Sequence, residues 1–202
     1  DYIVITHDDF REAADRLAAW RSSDERFGPA FAVKVVEVND IYDEFSAGLM
    51  DPASIRNFLK FAAESWDPAP LYVVLLGDGS YDYKNNSGTS QGNWIPPFQD
   101  GESTYDEWYA RVAGDDRIPD MAIGRLTVQT PAEAELVVDK LIDYDRELEV
   151  GPWRSRVLLI ADDLNNSDKP GEVESWFLWD AERMATGFLP TDMDLRKLYL
   201  AQ

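Results

Sequence analysis

LYVVLLGDGSYDYK, residues 71–84, opens with six apolar residues and then breaks at Gly77-Asp78-Gly79-Ser80. A continuous apolar run of this length, rather than an alternating one, predicts a central strand of a parallel sheet, buried on both faces. In an open α/β sheet, ligands and catalytic groups gather just beyond the carboxyl ends of such strands. Asp78 and Ser80 fall at that place. The polar tract from Tyr81 to Gly101 is long enough to predict a functional loop rather than a plain connection.

Upstream, Tyr2 to Ile5 predicts a first strand, followed by a helix with Thr6 or Asp8 as N-cap. That helix carries Phe10, Ala13, Ala14, Leu17, Ala18 and Trp20 at helical spacing. Phe31 to Val38 predicts a second strand, and Asn39 to Met50 reads as a loop. Asp51-Pro52 is a cap followed by proline at the first helical position, and Ile55, Phe58, Leu59 and Ala62 make the next helix amphipathic. Strand, helix, strand, helix, strand predicts a parallel sheet with right-handed crossovers.

Downstream, Thr104 to Val112 and Asp120 to Leu126 read as two short extended pieces around Gly114-Asp115-Asp116. Thr130-Pro131 with Glu133 predicts a third helix running to about Leu148. Gly151-Pro152 marks a boundary. Arg156 to Ala161 predicts another buried strand ending in Asp162-Asp163, with a helix near residues 174–187 and a last strand over Leu195 to Leu200. Two units are expected, residues 1–150 and 151–202, the second begun but not finished. Strand 156–161 is too apolar to stand uncovered, so the chain reads as a piece of something longer.

With 39 acidic against 19 basic residues the net charge is −20, which repels phosphate backbones. Nucleic acid is therefore an unexpected partner, and cations or basic peptides are favoured. There is no cysteine, hence no disulfide, no thiolate nucleophile and no zinc–thiolate site. No apolar run approaches the ~18 residues of a membrane span.

Carboxylates cluster at Asp8-Asp9, Asp78 with Asp82, Asp106-Glu107, Asp115-Asp116 with Asp120, and Asp162-Asp163. Hard cations favour carboxylates and free carbonyls together in turns, which makes calcium an expectation at Asp106, Asp115, Asp116 and Asp120. The bland reading is that each acid is a cap, a turn residue or a solvated charge. Asp78-x-Ser80-x-Asp82 opens like a calcium loop but lacks glycine at the sixth position and glutamate at the twelfth. Gly-Asp-Gly-Ser does not match a nucleophile elbow, and no dinucleotide or Walker pattern follows a strand. His7, the single histidine, reads as a strand-end residue bonded to backbone rather than a general base. Trp94, Tyr105, Trp108 and Tyr109 read as packing. Acids after strands one and three also suit a receiver-like signalling domain, but no lysine follows a suitable fifth strand.

Several stretches in order through the chain resemble the gingipain family of cysteine peptidases. They are Tyr2-Ile-Val-Ile-Thr-His-Asp-Asp-Phe10, Tyr72-Val-Val-Leu-Leu-Gly-Asp-Gly79, Tyr105-Asp-Glu-Trp-Tyr109, Val112-Ala-Gly-Asp-Asp116, Met121-Ala-Ile-Gly-Arg-Leu126 and the helix from Glu133 to Tyr144. The resemblance implies a caspase-like α/β fold, with a parallel sheet flanked by helices in a first subdomain. It implies a second subdomain carrying a catalytic His-Gly and a cysteine. Neither is present here, and thiolate–imidazole chemistry needs both.

By the same resemblance, Asp163, or Asp162 one residue earlier, matches the acid that orients the catalytic histidine. Glu174 falls where arginine-specific members hold an acid for the substrate's basic side chain, although an acid at a helix start is an equal reading. The resemblance further implies bound calcium, a peptide or protein substrate, the remainder of a catalytic domain as partner, and a secreted or cell-surface location. The chain is then expected to be inactive alone. The alternatives are a non-catalytic calcium-binding interaction module of a secreted protein, and the receiver-like domain.

Overall fold

The computed structural model describes residues 1–26, 28–88, 92–147, 151–163, 169 and 176–200. The chain divides into two compact units, Asp1–Glu147 and Leu148–Gln202.

In the first unit, β1 (Tyr2–Thr6) leads through a short 3-10 turn, Asp8–Phe10, into α1 (Arg11–Arg21). The N-cap of that turn is His7, whose Nδ1 accepts from the Asp9 N–H at 3.2 Å. This corrects the expected caps at Thr6 and Asp8; the Thr6 hydroxyl instead donates to the His7 carbonyl. β2 (Val33–Glu37) runs without a break into α2 (Val38–Ser46). The expected loop over 39–50 is therefore mostly helix. Val38, Ile41, Tyr42 and Phe45 stand at helical spacing, and the first three are buried. The helix stops at Ala47, which is left-handed at φ 53°.

α3 (Pro52–Ser65) begins as its residues dictate: the Asp51 carboxylate accepts from the Ala53 N–H at 2.8 Å, with proline next in line. β3 (Tyr72–Leu76) is the strand read from the apolar run. The expected extended piece over 104–112 is instead mostly a 3-10 turn, Asp106–Ala110, preceded by a short hairpin of β4 (Gln99–Asp100) with β5 (Ser103–Thr104). β6 (Ala122–Leu126) and α4 (Pro131–Arg146) complete the unit. Thr130 and Glu133 close a full capping box at the start of α4.

The sheet is parallel throughout, in the order β2-β1-β3-β6. β1 and β3 are its inner strands, which is why their sequences are apolar without alternation. On one face Ile3, Ile5, Val73 and Leu75 pack with Ile41, Ile55 and Leu59 of α2 and α3. On the other, Val4 and Leu76 pack with Leu17 of α1 and Val138 of α4. Burying a residue such as Leu17 or Leu59 contributes about 1.5–3 kcal/mol.

In the second unit β7 (Arg156–Ala161) pairs in parallel with β8 (Asp194–Tyr199), and α5 (Trp176–Gly187) connects them on one face. Glu182 of α5 accepts from Lys197 Nζ and the Tyr199 hydroxyl of β8, each at 2.8 Å. The opposite face of this small sheet carries Leu158, Ile160 and Leu198, all more than half exposed. Among the described residues no helix is long and apolar enough to cross a membrane.

Candidate functional site

At the carboxyl end of β3 the chain turns sharply through Gly77-Asp78-Gly79. Gly77 has φ 150°, and a Cβ there would sit 3.0 Å from the Trp94 Cβ. A Cβ on Gly79 would collide with the Ile95 carbonyl oxygen. Both positions therefore need glycine for different reasons, one backbone and one steric.

Asp78 holds loops together. Its N–H donates to the Val128 carbonyl at 2.9 Å, and its own carbonyl accepts from the Trp94 and Ile95 N–H groups, each at 3.1 Å. One carboxylate oxygen takes the Gly79 N–H at 2.9 Å and the other takes Gln129 Nε2 at 2.8 Å. Ser80 exchanges two bonds with the Asn93 side chain, each at 3.1 Å. Asp82 caps the loop after it, accepting from the Asn86 N–H and from the Ser87 N–H and hydroxyl. Those bonds hold its carboxyl below the usual range.

A cavity of about 480 Å³ opens here, lined by Asp78, Ser80, Tyr81, Thr104, Asp106 and Arg125. The Arg125 guanidinium grips both Asp106 oxygens at 2.7 Å and donates to the carbonyls of Gly77 at 2.9 Å and Ile95 at 2.7 Å. Arg125 escaped the sequence reading, although an arginine inside an apolar strand signals a buried anionic partner.

The four acids expected to hold calcium are occupied or dispersed. Asp106 is paired with Arg125. One Asp120 oxygen accepts from the Val112 and Ala113 N–H groups, each at 2.8 Å, and Asp116 accepts from the Ile118 N–H at 2.8 Å. Asp115 is exposed. Among the described residues no three His, Cys, Asp or Glu side chains form a metal-holding group. The residues do not fit the ion.

Of the aromatic residues read as packing, Trp108 stacks on Phe98 with centroids 3.8 Å apart, Trp94 packs on Phe10, and Tyr109 is wholly buried. Tyr105 is partly exposed.

In the second unit, Asp162 and Asp163 follow β7 directly. An Asp162 oxygen accepts from the Asp163 N–H at 2.8 Å, with Asp162 exposed and Asp163 half-buried. Beside them a groove of about 430 Å³ is lined by Ile160, Ala161, Asp162, Phe177, Asp180 and Met184. Glu174 lies outside the described residues.

The model of peptidase family C25 matches residues 1–202. The chain belongs to this family. No curated protein matches it. Among solved structures, this C25 chain is similar to the Arg-specific cysteine proteinase gingipain R (RgpB), at 20% identity and a TM-score of 0.67, covering 99% of this chain and 41% of that one. It is similar as well to RgpB in the complex of pro- and mature domains from Porphyromonas gingivalis, at 20% identity and a TM-score of 0.64, covering 99% and 42%. Dimeric latent PorU from Porphyromonas gingivalis matches at 26% identity and a TM-score of 0.57, covering 76% of this chain and 16% of that one. The fold is thus the caspase-like α/β fold of the gingipains, and the C25 chain spans less than half the length of each of these relatives.

Proposed function

We propose that this C25 chain is the N-terminal part of a gingipain-type cysteine endopeptidase domain, unable to cleave peptides alone. The family match over its whole length carries this reading, set beside a sequence with no cysteine and no His-Gly pair. In the complete domain the thiol would lose its proton to an imidazole as it attacks a peptide carbonyl. Asp163, or Asp162, would hold that imidazole in one tautomer, since both follow the carboxyl end of β7, where such groups collect. Glu174 would receive the basic side chain of the substrate. Membership of the family supports a secreted or cell-surface location and a peptide or protein substrate for the complete protein. It also supports a partner domain, as the RgpB pro- and mature-domain complex illustrates for that protein.

The chain alone, assayed on Arg and Lys peptides, should release no product. In a longer form carrying both catalytic groups, Asp163→Asn should lower kcat with little change in KM, and Glu174→Ala should raise KM for Arg substrates. Cleavage by the chain alone, abolished in His7→Ala, would overturn the reading. A parent sequence without histidine and cysteine would favour the second reading, a non-catalytic calcium-binding or interaction module.

A further inference from the structure

A hard cation wants an all-oxygen shell of carboxylates and carbonyls. One place in the first unit gathers such a shell. Both oxygens of Asp106, the Gly77 carbonyl after β3 and the Ile95 carbonyl from the following loop surround one guanidinium, the carboxylate at its Nε and Nη2 edge and the two carbonyls at Nη1. The guanidinium belongs to Arg125, whose side chain is only 10% exposed.

We propose that the Arg125 guanidinium is the resident cation of this oxygen cage, and that the first unit is for that reason stable without calcium. The charge balance supports the substitution. Asp106 supplies one negative charge and Arg125 one positive charge that persists at every working pH. The next acid lining the cavity, Asp78, already has both oxygens engaged by Gly79 and Gln129, so with Arg125 in place no second carboxylate is left open to a further cation. The planar guanidinium also meets the carboxylate in a two-pronged fit that a sphere does not reproduce. Being covalently attached, it is not lost to chelators or to dilution.

The cage joins three segments that are far apart in sequence: the end of β3, the 94–97 loop and the start of the 106–110 turn. Asp116 and Asp120 each accept backbone N–H groups through one carboxylate oxygen and so pin the 112–120 turn. This inference concerns the fold's own cation and stands whether or not the parent protein is a peptidase.

The test is thermal melting of the full chain in EDTA and in millimolar CaCl2, with MgCl2 at matched ionic strength as control. Wild type should shift by less than about 1 °C between them. Arg125→Ala leaves a half-buried carboxylate and two carbonyls without their guanidinium partner, and its Tm should fall by roughly 6 °C or more. Calcium, and not NaCl at the same ionic strength, should restore part of that loss. Arg125→Lys keeps a cation in the cage; it should melt above Arg125→Ala and ignore calcium, and it serves if the alanine variant does not fold. Calcium stabilisation of the wild type that disappears in Asp106→Asn or Asp120→Asn would overturn the proposal. So would an Arg125→Ala protein that is as stable as wild type, or one indifferent to calcium.

Discussion

Trp20 on α1 and Asp145 on α4 are joined by an indole N–H to carboxylate hydrogen bond of 3.0 Å across 125 residues of chain. The same carboxylate oxygen accepts from Arg21 at 2.6 Å, and Arg26 lies 3.4 Å from the other. Arg146 and Arg26 stand 4.8 and 5.6 Å from the Trp20 ring, so the ring and the Asp145 carboxylate share Arg26. Asp145→Ala should therefore lower stability by about 1–3 kcal/mol, because it leaves the indole N–H without its acceptor and takes from Arg21 its nearest carboxylate. Asp145→Asn, which keeps an acceptor, should cost less. Urea unfolding of both variants is the measurement, and equal losses would show that the hydrogen bond contributes nothing.

The Gly77-Asp78-Gly79 turn offers a paired test. Gly79→Ala drives a methyl into the Ile95 carbonyl and should cost about 1–3 kcal/mol. Gly124→Ala, in β6, meets no heavy atom within 4 Å and should be neutral or up to about 1 kcal/mol stabilising. A Gly79→Ala protein as stable as Gly124→Ala would refute the steric account.

Two tyrosines should resist alkali. Burial raises the phenols of Tyr109 and Tyr42 well above the ordinary 10.0. Tyr109 donates to the Pro96 carbonyl, whereas the Tyr42 hydroxyl has no partner among the described residues. A raised phenol pKa means that the folded state holds its proton where the unfolded state has released it. Stability is then complete below pH 10 and falls as the pH climbs past it. Phenolate absorbance should rise in two steps, with these tyrosines ionising only as the circular dichroism collapses. Ionisation of all nine tyrosines before any loss of structure would contradict this.

In acid the behaviour reverses at Asp24. A two-pronged bond from Arg26, at 2.7 Å to each oxygen, lowers its carboxyl from 3.8 to about 2. The stabilisation is present above pH 3.8 and fades as the pH falls toward 2. Carbon-detected NMR titration should find Asp24 still ionised at pH 3 in the wild type, and with an ordinary midpoint in Arg26→Ala.

Periodic elements were legible and aperiodic ones were not. β3 and β7 declared themselves by unbroken apolar runs, and α3 and α4 by caps and first-turn prolines. α2 was missed and read as a loop: Val38, Ile41, Tyr42 and Phe45 do repeat at helical spacing, but the helix follows β2 with no intervening residue and its start carries no side-chain cap to announce it. The hairpin of β4 and β5 is too short to express any period. Around the site, the acids were visible and their partners were not. Asp106 and Arg125 lie nineteen residues apart, and only the β3–β6 pairing brings the arginine to the turn. Nothing in the spacing of Asp116 and Asp120 says that their oxygens would be taken by backbone N–H groups.

The position of β1 has a consequence for synthesis. Of the four strands in its sheet it leaves the ribosome first, yet it is an inner strand, closed on its second edge only by β3. At about 5–20 residues per second the wait from Thr6 to Tyr72 is roughly 3–13 s. During that interval Tyr2-Ile-Val-Ile-Thr6 is a nascent apolar ribbon with at least one open edge, a substrate for holding chaperones rather than for folding.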